Sequence, residues 1–168
     1  MAFGDTINHI KHQFGENIVK SVQQADGLMP ILVIEKTDLL KVCEYLYTSP
    51  ELYFDYLSCI TAVDNGAEAA TIDIVYNLYS IPFDKHFCLK VILERNPSEN
   101  ENLPEIESVT SIWRTANWHE REAFDLVGVK FVNHPDLRRI LLPADWEGHP
   151  LRKDYNQQEI YHSIKVAY

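Results

Sequence analysis

His119-Glu120 looks like half of a zinc-hydrolase helix, in which two histidines four positions apart face one metal and the glutamate between them acts as base. Ala123 stands where the second histidine is needed, so the metal reading fails. Glu120 reads instead as the capping-box partner of Asn117 at the start of a helix. His134 is the other candidate, because an imidazole oriented by Asp136, Asp125 or Glu122 is the usual acid–base pair near neutral pH. No nucleophile on a strained turn accompanies it, and His134-Pro135 reads as a structural turn. The six glycines form neither G-x-G-x-x-G nor a phosphate-cradling loop, which argues against nucleotide or flavin binding. Cys43, Cys59 and Cys88 are too far apart for a Cys-x-x-Cys metal or cluster motif and too few for a disulfide framework, as suits a reducing cytoplasm. Tyr53, Phe54 and Tyr56 are expected to pack in the core.

The segment from Trp118 to Tyr155 has a different texture. Glu120-Arg121-Glu122 and Asp125 precede Arg138-Arg139, Asp145-Trp146 and Arg152-Lys153-Asp154-Tyr155, with Phe131, Leu137, Ile140-Leu141-Leu142 and Leu151 among them. A solvated tail would be poor in such apolar residues. An extended segment stiffened by Pro135, Pro143 and Pro150 gives them little self-burial, and large anchors among balanced charges suit a protein interface. The segment is therefore expected to be a partner-binding arm, the alternative being an arm folded back over its own domain. Arg121, between two glutamates, is expected to form ion pairs with carboxylates. Arg138, Arg139, Arg152 and Lys153 are candidates for contacts with a partner.

The elements that must position these residues are legible as periodicities. Ile7, Ile10 and Phe14 recur at helical spacing after Asp5-Thr6 and before Gly15. Asn17 to Gln23 and Met29 to Lys36 read as strands around an Ala25-Asp26-Gly27 turn. Thr37 or Asp38 caps a helix that turns Leu39, Leu40, Cys43, Leu46 and Tyr47 inward and stops at Ser49-Pro50. Tyr56 to Val63, Thr71 to Ile81 and Lys85 to Glu94 read as strands, the second alternating Ile72, Ile74, Tyr76 and Leu78 with polar residues. Arg95 to Glu107 reads as a surface loop, Trp118 to Val127 as a helix stopped by Gly128, and Val129 to Val132 as a last strand. Hairpin-length connections demand antiparallel neighbours. The expected fold is α+β, a two-layer sandwich of a mixed, mainly antiparallel sheet with helices on one face over 1–132, followed by an extended arm over 133–168.

Composition narrows the function classes. Twenty-five acidic against fifteen basic residues give a formal charge of −10, which disfavours nucleic acid and anionic lipid. The N-terminus mixes apolar with charged residues and lacks the apolar stretch of a signal peptide. No apolar run approaches the ~20 residues of a spanning helix. Membrane association is expected only through a partner.

On these residues the chain resembles the 30-kDa-type subunit family of respiratory complex I, known in bacteria as the C subunit. The family signature is Glu-Arg-Glu, an acid three positions on, two bulky apolar residues, a spaced His, then Arg and paired apolar residues. It reads here as Glu120-Arg121-Glu122, Asp125, Leu126-Val127, His134, Arg138 and Ile140-Leu141, without departure. The run from Asp145-Trp146 to Arg152-Lys153-Asp154-Tyr155 is similar to the family as well. The resemblance is strong over 118–155 and one of layout over 1–117. It implies a structural subunit without cofactor or activity of its own, held against the quinone-site D subunit and near the cluster-bearing B subunit among other peripheral-arm subunits. FMN and iron-sulfur clusters would lie in those partners, in an NADH-quinone oxidoreductase that translocates protons. It further implies a peripheral place on the cytoplasmic face of the bacterial inner membrane, and Glu120, Arg121, Glu122, Asp125, His134, Arg138, Arg139, Asp145, Trp146, Arg152, Lys153, Asp154 and Tyr155 as motif and interface residues. The chain closes soon after the motif, as expected of a stand-alone bacterial-type subunit. Related subunits of hydrogenase-type or plastoquinone-linked complexes are the alternative assembly, and a free-standing His/carboxylate enzyme is the alternative of another class.

Overall fold

The computed structural model describes residues 3–24, 29–96 and 103–166. The expected Ala25-Asp26-Gly27 turn and the Pro97 end of the polar loop lie outside them. The chain runs α1 (Phe3–Phe14), a short 3-10 turn, β1 (Ser21–Gln23), β2 (Ile31–Ile34), a second 3-10 turn, α2 (Leu39–Thr48), β3 (Tyr56–Asp64), β4 (Thr71–Ser80) and β5 (Lys85–Glu94). Then come β6 (Glu105–Glu107), α3 (Ala116–Val127), β7 (Lys130–Val132), β8 (Ile160–Tyr161) and β9 (Ile164–Lys165).

The main sheet has the order β1-β2-β5-β4-β3, with β2 parallel to β5 and the other neighbours antiparallel. Period-2 alternation sends Ile72, Ile74, Tyr76 and Leu78 of β4 into the core. Their register partners Leu93, Val91, Leu89 and Phe87 of β5 point the same way. A bulge between Leu57 and Cys59 lets β3 keep both Leu57 and Ile60 inward, and it brings Asp64 to the same face beside Ile72. The helices close this face. Phe3 of α1 stacks on Phe87 at 5.0 Å between ring centroids, and Phe14 meets Tyr45 of α2 edge-on at 5.5 Å. The fold is thus α+β in two layers, with a mixed, mainly antiparallel sheet.

Several local expectations are corrected. α1 begins at Phe3, before Asp5-Thr6, because Thr6 is buried in the first turn rather than capping it. Residues 16–18 form a 3-10 turn, leaving β1 only three residues. Of the three aromatics expected in the core only Phe54 is there, since Tyr53 and Tyr56 are exposed. The polar stretch after β5 is not all surface loop. Arg95 is buried, and Glu105–Glu107 pair in parallel with β7.

Leu89 lies on the central strand with no exposed surface, whereas Val22 is exposed on edge strand β1. Leu89→Ala is expected to lower unfolding free energy by about 3 kcal/mol through lost transfer energy and a residual cavity. Val22→Ala should change it by less than about 0.5 kcal/mol. Urea denaturation of both variants checks the placement of the core.

Candidate interaction surface

A helix leaves its last four carbonyls without partners, and a left-handed residue is the common way to turn the chain away. α3 ends at Gly128, whose φ of 76° suits glycine, and whose N–H reaches the carbonyls of Ala123 and Phe124. A Cβ there would come within 2.5 Å of the His149 ring, so the residue also clears space for the arm. The remaining carbonyls are taken by residues from the arm. Asp125 O accepts from Arg139 at 3.0 Å and from His149 Nδ1 at 2.9 Å, and Leu126 O accepts from the N–H of Leu151 at 2.9 Å. Val127 O and Gly128 O accept from the Arg152 guanidinium at 2.8 and 3.2 Å. Two arginines at the negative end of a helix also complement its dipole.

Asp125 fixes the arm a second time. Its side chain is fully buried, and Oδ2 accepts the successive N–H groups of Ile140, Leu141 and Leu142 at 3.0, 2.8 and 2.9 Å. Oδ1 accepts from Arg139 at 2.7 Å. Three consecutive amides around one oxygen form an anion nest. Burial alone pushes this carboxyl up, and the nest with the arginine overrides it, leaving the group below its ordinary value. The arm carries the carbonyl load of the next residues too, since Arg139 reaches Trp146 O and Gly148 O.

Glu120 does not cap α3. It is fully buried one turn earlier, accepting from the Ser108 hydroxyl at 2.6 Å and the Val109 N–H at 2.8 Å. Burial pushes its carboxyl up to about 7 against those two bonds. The box with Asn117 fails because the glutamate is drawn into the loop before α3. His134 also has a buried side chain, and lies 3.9 Å from Glu120 rather than on Asp125, Glu122 or the Asp136 carboxylate. Its Nδ1 accepts the Asp136 N–H, and Nε2 faces the Asn117 carbonyl, which only accepts, so Nε2 carries the proton. Both nitrogens are engaged in holding the turn.

Arg121 is corrected likewise. It donates to the Arg138 and Arg139 carbonyls at 3.1 and 3.0 Å, because the arm crosses over the helix at that point and brings carbonyls closer than any glutamate. Arg138 pairs with Asp136 on the surface, with 72% of its side chain exposed. The Trp146 indole donates to the Tyr155 hydroxyl at 3.1 Å and its ring lies 5.2 Å from Tyr161. Asp145 accepts from Tyr161 and His162. Lys153 N–H reaches Asp64, and Asp154 meets Arg95. Glu122 is exposed.

Most of the motif residues are thus gathered at α3 and the arm that crosses it, with Glu120, Asp125, His134 and Arg139 turned inward and Glu122, Arg138, Asp145, Lys153 and Asp154 exposed. The apolar residues of the arm divide in the same way, Leu137 packing against the core and Ile140 and Leu142 half-buried. Leu141, Leu151, Ile160 and Ile164 are 59–66% exposed, and Trp118 on α3 is 70% exposed. Sequence reasoning missed Asp64, Arg95 and His149, which lie far from or between the motif's signature positions. No group of three or more His, Cys, Asp or Glu among the described residues is placed to hold a metal. None of the described helices is long and apolar enough to cross a membrane.

A family described as "Respiratory-chain NADH dehydrogenase, 30 Kd subunit" matches residues 32–161. The C subunit of NADH-quinone oxidoreductase from Chloroherpeton thalassium is 42% identical over 95% of this chain, which spans 63% of that relative's length. Its counterpart from Chlorobium phaeobacteroides is 42% identical over 95% of this chain and 92% of its own. Among solved structures, a chain of an archaeal membrane-bound sulfane sulfur reductase superposes with a TM-score of 0.71 at 19% identity, over 91% of this chain and 85% of that one. At that identity the likeness is one of fold.

Two variants test the site. Asp125→Ala strips the nest and leaves Arg139 unpaired, and is expected to cost about 3–5 kcal/mol in chemical denaturation. Glu120 titrates the other way. Its folded pKa of about 7 lies above the ordinary 4.5, so the folded state holds the extra proton between them. Stability from this group is full below about pH 4.5 and is lost as pH rises through about 7, by on the order of 3 kcal/mol. Glu120→Gln should flatten that part of the stability profile. An unchanged profile would contradict the assignment.

Proposed function

The chain belongs to the 30-kDa subunit family of respiratory-chain NADH dehydrogenases, and from that premise we propose that it is a cofactor-free scaffold subunit of the peripheral arm of a proton-translocating NADH-quinone oxidoreductase. In this reading it supports electron transfer from NADH through FMN and iron-sulfur clusters of partner subunits to quinone without touching the electrons itself. It stands against the quinone-site subunit, near the small cluster-bearing subunit, on the cytoplasmic face of the membrane.

The observation that carries the reading is the division of labour in the arm. Arg139, Arg152 and the amides of residues 140–142 are engaged by α3, while Leu141, Leu151, Ile160 and Ile164 face outward. Polar groups satisfied in advance lower the ordering cost of docking, and exposed apolar side chains supply its driving force. A subunit built this way stiffens a junction between redox partners.

Leu141→Glu and Leu151→Glu, at exposed positions, are expected to leave the denaturation midpoint of the chain nearly unchanged, because neither side chain is in the core. Each should weaken assembly by about 2 kcal/mol or more if its leucine is an interface anchor. Affinity purification of tagged wild-type and variant chains from native membranes, with the co-purifying subunits identified by mass spectrometry, reads the effect. Equal recovery of the quinone-site and cluster-bearing subunits with all chains would refute the outward residues as the docking surface. A wild-type chain that purifies alone and turns over a substrate would refute the scaffold role.

A further inference from the structure

Beyond the anchor on α3, the arm meets the domain at one more place, where β3 and β5 end. Asp64 closes β3 and Arg95 follows β5, and both point to the inner face of the sheet at its open end. The guanidinium of Arg95 grips Asp64 in two-pronged fashion, Nε to Oδ1 at 2.6 Å and Nη2 to Oδ2 at 3.0 Å. Both side chains are buried, at 3% and 0% exposure. The same guanidinium turns its remaining edge to Asp154 of the arm, with Nη1 at 3.0 Å from Oδ2. Asp64 in turn accepts the N–H of Lys153 at 2.8 Å. The domain therefore holds out one cation and one anion side by side. The arm answers with an anion and an amide from two successive residues.

The geometry points to a releasable ionic clasp: Asp64 and Arg95 form a fixed receptor into which Lys153 N–H and Asp154 close, fastening the arm separately from the Asp125 nest. The asymmetry in burial makes it releasable. Asp64 and Arg95 stay paired with each other when the arm lifts, so no buried charge is abandoned, whereas Asp154 is 61% exposed and can return to water. A partly exposed pair of this kind is screened by salt. The Asp125 nest, buried and built on backbone amides, is not. Beyond the clasp the arm is tied only to itself among the described residues. Gln158 donates to Glu147 O, and Tyr161 and His162 reach Asp145. The clasp is thus the last direct fastening of the arm to the domain among the described residues. The clasp is a property of the chain by itself, so its failure leaves the proposed assembly untouched.

Hydrogen exchange of the full 168-residue chain, read at single amides by NMR, tests it. The Lys153 amide should be protected in the wild type, and Asp154→Asn should raise its exchange about tenfold while the Ile140, Leu141 and Leu142 amides on Asp125 are unmoved. Asp154→Glu, which keeps the charge, should restore protection, and molar salt should bring the wild type towards the asparagine variant. An unprotected Lys153 amide in the wild type, or one indifferent to Asp154→Asn, would overturn the clasp. Equal loosening of Lys153 and of residues 140–142 would overturn its independence from the anchor.

Discussion

The structure turns on the C-terminal end of α3, where a row of orphan carbonyls and a buried carboxylate need hydrogen-bond donors. Leaving such groups unpaired costs on the order of 1–3 kcal/mol each. The carbonyls of Asp125, Leu126 and Val127 find their donors beyond residue 138. The arm supplies them through Arg139, Arg152, His149, the Leu151 N–H and the amides of residues 140–142. The need for donors on the helix decides the course of a segment that three prolines keep out of regular secondary structure. An irregular chain thereby acquires a defined path without a core of its own.

That arrangement leaves several large apolar side chains of the arm at the surface. In the domain, apolar side chains make the core and pairs such as Lys20–Glu35 and Lys130–Glu105 lie on the surface, with Asp64, Arg95 and Glu120 as buried exceptions. In the arm, Arg139 and Arg152 are drawn onto α3, while Leu141, Leu151, Ile160 and Ile164 are turned out. A surface made of residues already held in place is suited to binding with little ordering cost. The family to which the chain belongs gives such a surface a setting, a respiratory assembly with other subunits to meet it.

Much of this was legible in the sequence, for physical reasons that differ by region. The alternation along Thr71 to Ser80 reads directly as a strand with one covered face, because side-chain direction follows the backbone period. The stop of α3 was legible from Gly128, since few residues tolerate its backbone angle. The parallel pairing of β6 with β7 was not, because three residues carry too little pattern to stand out from a polar loop. Glu120 was misread since a capping box and a buried hydrogen-bonded acid share the same local sequence, and only the Ser108–Val109 loop decides between them. Arg95 and Asp64 carry no local signal of their partnership, being 31 residues apart and joined by sheet topology alone. The motif marked where the arm docks. It did not say that Arg121, Arg139 and Arg152 would be spent on carbonyls of the chain itself.

The central claim is that the arm is folded on α3 before assembly, with Leu141, Leu151, Ile160 and Ile164 outward and covered only when partners arrive. Hydroxyl-radical footprinting of the chain, free and within the membrane complex, measures this at the side chains concerned. The account predicts that Leu141, Leu151, Ile160 and Ile164 are oxidised readily in the free chain and protected in the complex, while buried Leu89 and Phe131 are protected in both. Equal oxidation of the four arm residues in the two states would contradict it.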